Sequence, residues 1–404
     1  MSSANTEKMT AITVAGGVYH ERCIWPDWDQ IYGSGGRAAA ALSGHVDAIT
    51  LRTYAHAETA DRFKTYATVF GFALDAVPVE QTVSFEYVHC LSVPVVRPSV
   101  ALIQSHGPLI APGDVVLRFG MMEGSARVTA HRCVYDPQSA FNPEPFANNG
   151  SKADHLAIVA NRGEVLALGG GGDPIAAAKV LLARGAEVVV VKSGVEGASV
   201  VEPTGVTHVA PHQTETVWTL GSGDVFAAMF AAAWGVGGEQ PEDAARFASR
   251  AVAEYARTIA LPVPSAASLR ATSLPLARAV GGQIYLASPF FTLGQRWLVD
   301  ETRRCLSELG MKVFSPVHDV GPGPAATVAP ADLAALDASD AVFAILDGLD
   351  SGTIFEVGYA RARNKPVYAL AQTVTEADLK MVTGSQCRVF EDLVTALHHI
   401  AWRT

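Results

Sequence analysis

The chain has 404 residues, 49% of them hydrophobic and 17% charged, and a net charge of −10. That length exceeds what a single core usually serves, so two domains are expected, and the composition excludes a disordered chain. The negative balance, with no Lys/Arg-rich block, removes any electrostatic reason to bind nucleic acid or an anionic membrane; small molecules are the expected partners.

Cys23, Cys90, Cys133, Cys305 and Cys387 are scattered and form no C-x-x-C pair, as expected of reduced thiols. The polar start Met1 to Lys8 has no apolar leader, and the most apolar stretch, Val225 to Val236, is too short to span a bilayer. A cytoplasmic location is expected.

Upstream of Ser151 the pattern is hard to read. From there strand and helix alternate: an apolar run at Leu156–Ala160, a helix at Pro174–Ala183, a buried β-branched strand at Glu187–Val191, then helices at Val225–Trp234 and Pro241–Ala260. Gly169–Gly172 lacks the ending of a phosphate-binding Walker loop and falls between two helices, so it reads as a connection. The Pro- and Ser-rich segment Leu261 to Ser268 breaks the pattern, which places one domain at 1–265, a linker at 266–281 and a second domain at 282–404. There the expected order is a strand from Gln283, helix Arg296–Leu309, strand Lys312–Ser315, helix Ala331–Leu336, strand Ala341–Leu346, helix Thr353–Arg363 and strand Pro366–Leu370. Both halves are therefore α/β, the second a smaller parallel sheet.

Gly221-Ser222-Gly223-Asp224 opens an alanine-rich helix, where backbone N–H groups and the positive helix end converge on an anion. Asp224 there can be a helix cap or a base that takes a proton from a hydroxyl. Several further stretches stand in a telling order: Val14 to Glu21, Gly33-Ser-Gly35-Gly36-Arg37, Asp136-Pro137, Asn161-Arg-Gly-Glu164, Lys192-Ser-Gly194-Val-Glu-Gly197 and Thr219 to Asp224. Over roughly residues 11 to 260 the chain thereby resembles the ribokinase-like family of sugar and nucleoside kinases, which implies an α/β/α sandwich using ATP and Mg2+. The resemblance implies Asp224 as the catalytic base and Gly221, Ser222 and Gly223 as an anion hole. Lys192, Gly194 and Gly197 fall on nucleotide-binding positions, and Asn161 and Glu164 order the magnesium, with Glu164 its ligand. Glu21, Gly35, Gly36 and Arg37 fall on acceptor-binding positions. Glu21 replaces the family's usual aspartate and Arg37 its asparagine, and Trp218 stands where an acidic residue is more common, so the acceptor pocket is altered.

In the second half Asp332, Asp340, Asp347, Asp350 and Glu356 crowd together, and Glu356 sits in an apolar helical segment where a buried carboxylate is costly. The series Tyr285-Leu-Ala-Ser-Pro-Phe290-Phe291, Phe314-Ser-Pro316, Asp332 to Asp340 and Asp350-Ser-Gly352-Thr-Ile-Phe-Glu356-Val-Gly-Tyr-Ala360 resembles the nucleoside 2-deoxyribosyltransferase family, which includes nucleoside N-glycosidases. This implies a flavodoxin/Rossmann-like domain without a cofactor. Glu356 is then the nucleophile at the anomeric carbon, Asp332 assists departure of the base, and Asp350 and Gly352 contact the nucleoside. Tyr285, Phe290 and Phe291 are candidates for a stacking floor, with core packing the alternative. A carboxylate at Asp350 repels a 5′-phosphate and favours a free 5′-hydroxyl, whereas Lys380 could attract one. His318, His398 and His399 have no metal-site spacing.

The expectation is a bifunctional enzyme that cleaves or exchanges the N-glycosidic bond of nucleosides and phosphorylates a sugar or nucleoside. The alternative is a nucleotide-sensing kinase-like domain coupled to a glycosidase acting on 5′-monophosphates. Relatives of the second domain complete their sites across subunits, so a homo-oligomer, dimer or larger, is expected.

Overall fold

The computed structural model describes residues 10–139 and 142–403; the polar N-terminal octet lies outside them. It divides into two compact units between Leu276 and Ala277.

The first unit runs through strands β1 (Ala11–Ala15), β2 (His20–Cys23) and β3 (Trp28–Ile31), helix α1 (Gly33–Leu42), β4 (Ala48–Ala55), α2 (Ala57–Phe70), β5 (Ala73–Pro78), β6 (Ser84–Tyr87) and β7 (Val95–Arg97). Next come the long strands β8 (Leu109–Phe119) and β9 (Ala126–Asp136), then β10 (Lys152–Asn161), α3 (Arg162–Gly169), α4 (Pro174–Ala183), β11 (Val188–Lys192), β12 (Ala198–Glu202) and β13 (Gly205–Val209). Helices α5 (Ser222–Phe230), α6 (Pro241–Thr258) and α7 (Ala266–Ala271) follow. Nine strands form a sheet ordered β13-β12-β11-β10-β9-β8-β1-β4-β5, antiparallel only at β12 and β13.

Ala157 to Ala160 and Val188 to Val191 are buried whatever their parity, so both faces of this sheet are covered. On one face α3 and α4 pack Val165, Leu168, Ala177 and Leu181 against Ile158, Ala160, Val189 and Val191. A separate four-stranded sheet, β3-β2-β6-β7, carries Glu21 on β2. The glycine run connects α3 to α4, with Asp173 capping the latter through Ala176 N–H. The helix expected from Val225 to Trp234 ends at Phe230 and continues as a π-helical turn, Ala231–Val236. Residues 266–271, expected in a linker, are helix α7, and Gln213 N–H donates to the Pro275 carbonyl at 2.8 Å within the first unit.

In the second unit the order is β14 (Gln283–Ala287), α8 (Leu293–Glu308), β15 (Lys312–Phe314), α9 (Pro316–Asp319), α10 (Ala325–Ala338), β16 (Ala341–Ile345), α11 (Ser351–Ala362), β17 (Val367–Leu370), α12 (Lys380–Gly384), β18 (Arg388–Phe390) and α13 (Leu393–Trp402). The five strands are all parallel in the order β15-β14-β16-β17-β18. That is the flavodoxin-type winding, whose strand order reverses between β14 and β16 and leaves a crevice beyond their carboxyl ends. No single helix among the described residues is long and apolar enough to cross a membrane.

Candidate functional sites

In the first unit, Asp136, Asn161 and Lys192 end the adjacent parallel strands β9, β10 and β11, with Asn161 and Lys192 in register. They converge at the carboxyl edge, where α/β sheets place ligands. A cavity of about 760 Å³ opens there and is lined by Glu21, Arg37, Asn161, Glu164, Lys192 and Asp224, together with Gly194, Gly221 and Gly223.

Asn161 caps α3 by accepting from Glu164 N–H at 2.9 Å, while the Glu164 carboxylate accepts from Asn161 N–H at 2.8 Å. This reciprocal capping box fixes both side chains at the helix start. The Lys192 ammonium pairs with Asp136, which is fully buried; burial pushes that carboxyl up to about 7 against the pull of Lys192. Lys192 also stands over Gly223, where a β-carbon would lie 3.3 Å from Nζ.

Arg37 changes the chemistry of Asp224. Its guanidinium, 1% exposed, donates to Asp224 at 2.8 Å, grips Glu21 with two nitrogens and reaches the Tyr255 hydroxyl at 3.2 Å. Burial alone would lower the Arg37 pKa, but Glu21, Tyr255 and Asp224 more than offset it and hold the group above its ordinary value. Burial pushes Glu21 up despite Arg37. Gly221, at φ +76°, admits this packing, since a β-carbon would lie 2.1 Å from Arg37 Nε. Gln138, which sequence reading missed, donates to the other Asp224 oxygen at 3.2 Å.

The remaining expected residues of this unit stand apart from the cavity lining. Gly35 packs backbone to backbone on Gly16, Gly36 admits the Phe63 ring, and Gly197 makes room for the Val209 carbonyl. Ser222 N–H is spent on the Thr219 carbonyl at 3.0 Å. Trp218 is buried at 3% exposure.

In the second unit Glu356 lies on α11 with its carboxylate facing β14, and Tyr285 of that strand donates its hydroxyl to Glu356 Oε1 at 2.6 Å. Burial pushes Glu356 up to about 7; the Tyr285 hydrogen bond opposes this, while the charges of Asp332 and Asp350 add to it. Asp332, on α10, is also raised by burial, and its Oδ1 is a buried oxygen with no hydrogen-bond partner. Glu356 thus lies between ionised and neutral near pH 7, beside a second carboxyl that burial also shifts upward.

Asp350 caps α11, its Oδ2 accepting from Thr353 N–H at 2.8 Å and from the Thr353 hydroxyl at 3.0 Å, next to Gly352. The acidic group read from sequence separates in space. Asp340 accepts from Gln283 N–H at 2.7 Å at the amino end of β14, opposite the crevice, because it precedes β16 instead of following it. Asp347 pins Gln372 and Thr373 after β17. The Tyr285 ring is fully buried against Phe314, so only its hydroxyl reaches the site; it is no open stacking floor. Phe290 is half-buried and stacks at 5.2 Å on Phe291, which is 69% exposed.

Residues 155–259 match the model of the pfkB family of carbohydrate kinases, and residues 284–393 match that of nucleoside 2-deoxyribosyltransferase. Among solved structures, a protein provisionally classed as a ribokinase from Agrobacterium tumefaciens is 16% identical, covering 65% of this chain and 97% of its own, with a TM-score of 0.50. A Vibrio cholerae fructokinase with fructose, ADP and calcium bound is 15% identical over 65% of this chain and 98% of its own, at TM-score 0.49. Thermotoga maritima ribokinase is 17% identical over 65% and 99%, at TM-score 0.48. A search of curated proteins found no match. The chain joins a ribokinase-like fold to a nucleoside 2-deoxyribosyltransferase-like domain, and both families are enzymes.

Proposed function

We propose that the second unit breaks the N-glycosidic bond of nucleosides and that the first phosphorylates a sugar or nucleoside with ATP. The observation that carries the first half is the Tyr285–Glu356 hydrogen bond at the strand-order switch, beside the unpartnered oxygen of Asp332. Ionised Glu356 attacks the anomeric carbon; the C–N bond breaks with its electron pair going to the base, which takes up a proton by way of Asp332. The resulting glycosyl ester on Glu356 is resolved by a second base or by water, regenerating the carboxylate and retaining configuration overall. Phe290 and Phe291 offer the base an apolar face, and the charge of Asp350 favours a free 5′-hydroxyl over a phosphate. Incubation with nucleosides and with their 5′-monophosphates, chromatography of free base, and exchange with added adenine test this reading. Absence of base release and exchange from both substrate sets would reject it.

In the first unit the donor set fits a divalent cation. Asp136 Oδ1 is a buried acceptor without a partner, and the charge of Glu164 acts on Asp136. These two carboxylates would hold Mg2+, which when bound neutralises charge on a transferring phosphoryl group. Lys192, Gly221 and Gly223 bind and orient the phosphates, and Asp224 accepts the acceptor's proton.

A second reading rests on Arg37: while its guanidinium holds Asp224, that carboxylate is an ion-pair partner before it is a base. The unit then senses a nucleotide or sugar without transferring phosphate. ATP turnover across a sugar and nucleoside panel, set beside calorimetric nucleotide binding, separates the two: binding without turnover selects the sensor.

A further inference from the structure

A second polar pocket of the first unit lies outside the cavity around Asp224. It has a volume of about 410 Å³, within the range of small-molecule sites, and forms between the end of β13, the face of α6 and the segment after α7. Arg246, Arg250, Arg270 and His212 line it, and no acidic residue does. This is notable in a chain with 40 acidic and 30 basic residues.

Two of the guanidinium groups are held by carboxylates: Arg246 by Glu242 at 2.5 Å, and Arg270 by Glu239. Arg270 is further braced over the Phe247 ring at 4.8 Å. Arg250, one helical turn from Arg246 and half-buried, has no carboxylate partner among the described residues. Like charges at this helical spacing repel, and with Arg246 and Arg270 each held by a carboxylate, Arg250 is left among the described residues as the charge in this pocket that a bound anion would neutralise. The facing wall is pinned in place. His212 bridges Leu276, Gln213 N–H donates to the Pro275 carbonyl at 2.8 Å, and the Thr272 hydroxyl donates to the Ser268 carbonyl at 2.9 Å. Guanidinium groups fixed in this way match the paired oxygens of a phosphate better than any neutral ligand.

We propose that this pocket binds a phosphate group, as the free oxyanion or as the monoester of a small sugar, separately from the phosphoryl-transfer cavity. The test is calorimetry on the full chain with inorganic phosphate and ribose 5-phosphate, comparing wild type with Arg250→Gln, Arg250→Lys and Lys192→Gln. Saturable binding that weakens at least tenfold in Arg250→Gln, recovers in part in Arg250→Lys and persists in Lys192→Gln is expected. Ribose 5-phosphate binding at least tenfold more tightly identifies the monoester; equal affinities identify the free oxyanion. Circular dichroism checks that each variant is folded, and in the two Arg250 variants base release stays at the wild-type rate. No saturable binding in wild type, unchanged binding in Arg250→Gln, or loss in Lys192→Gln alone would overturn the proposal.

Discussion

Arg37 and Asp224 meet at 2.8 Å although 187 residues separate them, and both side chains are buried. Removing the cation strands the carboxylates of Asp224 and Glu21 in the interior. Arg37→Ala should therefore destabilise the first unit by about 3–5 kcal/mol, the usual cost of breaking a buried pair from one side. Thermal and urea melts check it. A loss under ~1 kcal/mol would mean the carboxylates are solvated or neutral without Arg37.

Arg37→Asn tests what the clamp does to catalysis. If the ion pair restrains the base, the variant gains ATP turnover with an acceptor by about tenfold or more, as expected of a general base set free. Coupled measurement of ADP release reads this directly, and Asp224→Asn in the same background should abolish the gain.

The pH dependence of base release follows from Glu356. Burial raises its pKa to about 7, so the nucleophilic carboxylate is lost as pH falls through that value, and the rate should drop on the acid side with a midpoint near 7. Initial rates between pH 5 and pH 9 on a nucleoside, at a range of roughly two units each side of that midpoint, measure it. A flat profile down to pH 5 would show that a carboxylate of ordinary pKa does the work.

Tyr285→Phe removes the hydrogen bond that opposes this rise. The acid limb should then move to higher pH and the plateau rate fall by roughly 10- to 100-fold, since the hydroxyl positions the carboxylate and does not itself react. A purely structural role would lower stability and leave the limb where it was.

The α/β order from Leu156 onward was legible because buried β-branched strands and capped helices alternate over short spacings. The Glu356 and Asp224 segments were legible because each carries its carboxylate in the first turns of a helix, within one short run of sequence. What the sequence hid is long-range. Nothing local pairs Arg37 with Asp224, or brings Gln138 to that carboxylate. Asp340 and Asp347 look equivalent to Asp332 along the chain, yet the strand between Asp340 and Asp347 carries them to opposite ends of the sheet. Tyr285 is aromatic in a suitable place, but its position inside β14 turns the ring into the core.

Leu293, Phe355 and Met381 are 86%, 61% and 83% exposed on the segments that follow β14, β16 and β17, the same edge of the sheet as Glu356. Such apolar exposure is costly in a monomer and fits an assembly that covers the site. Light scattering should give a dimer or larger species, and Phe355→Asp should weaken both assembly and base release. A fully active monomer would remove this account.

The most direct test is base release by Glu356→Gln, with ATP turnover and thermal melting followed on the same preparation. The substitution keeps size and hydrogen bonding while removing the charge that stabilises the anomeric cation and the lone pair that captures it. Base release should fall by about three orders of magnitude or more in a protein that still melts cooperatively and keeps the wild-type response to ATP. Undiminished base release from the folded variant would contradict the account and move the nucleophile elsewhere, with Asp332 the next residue to replace.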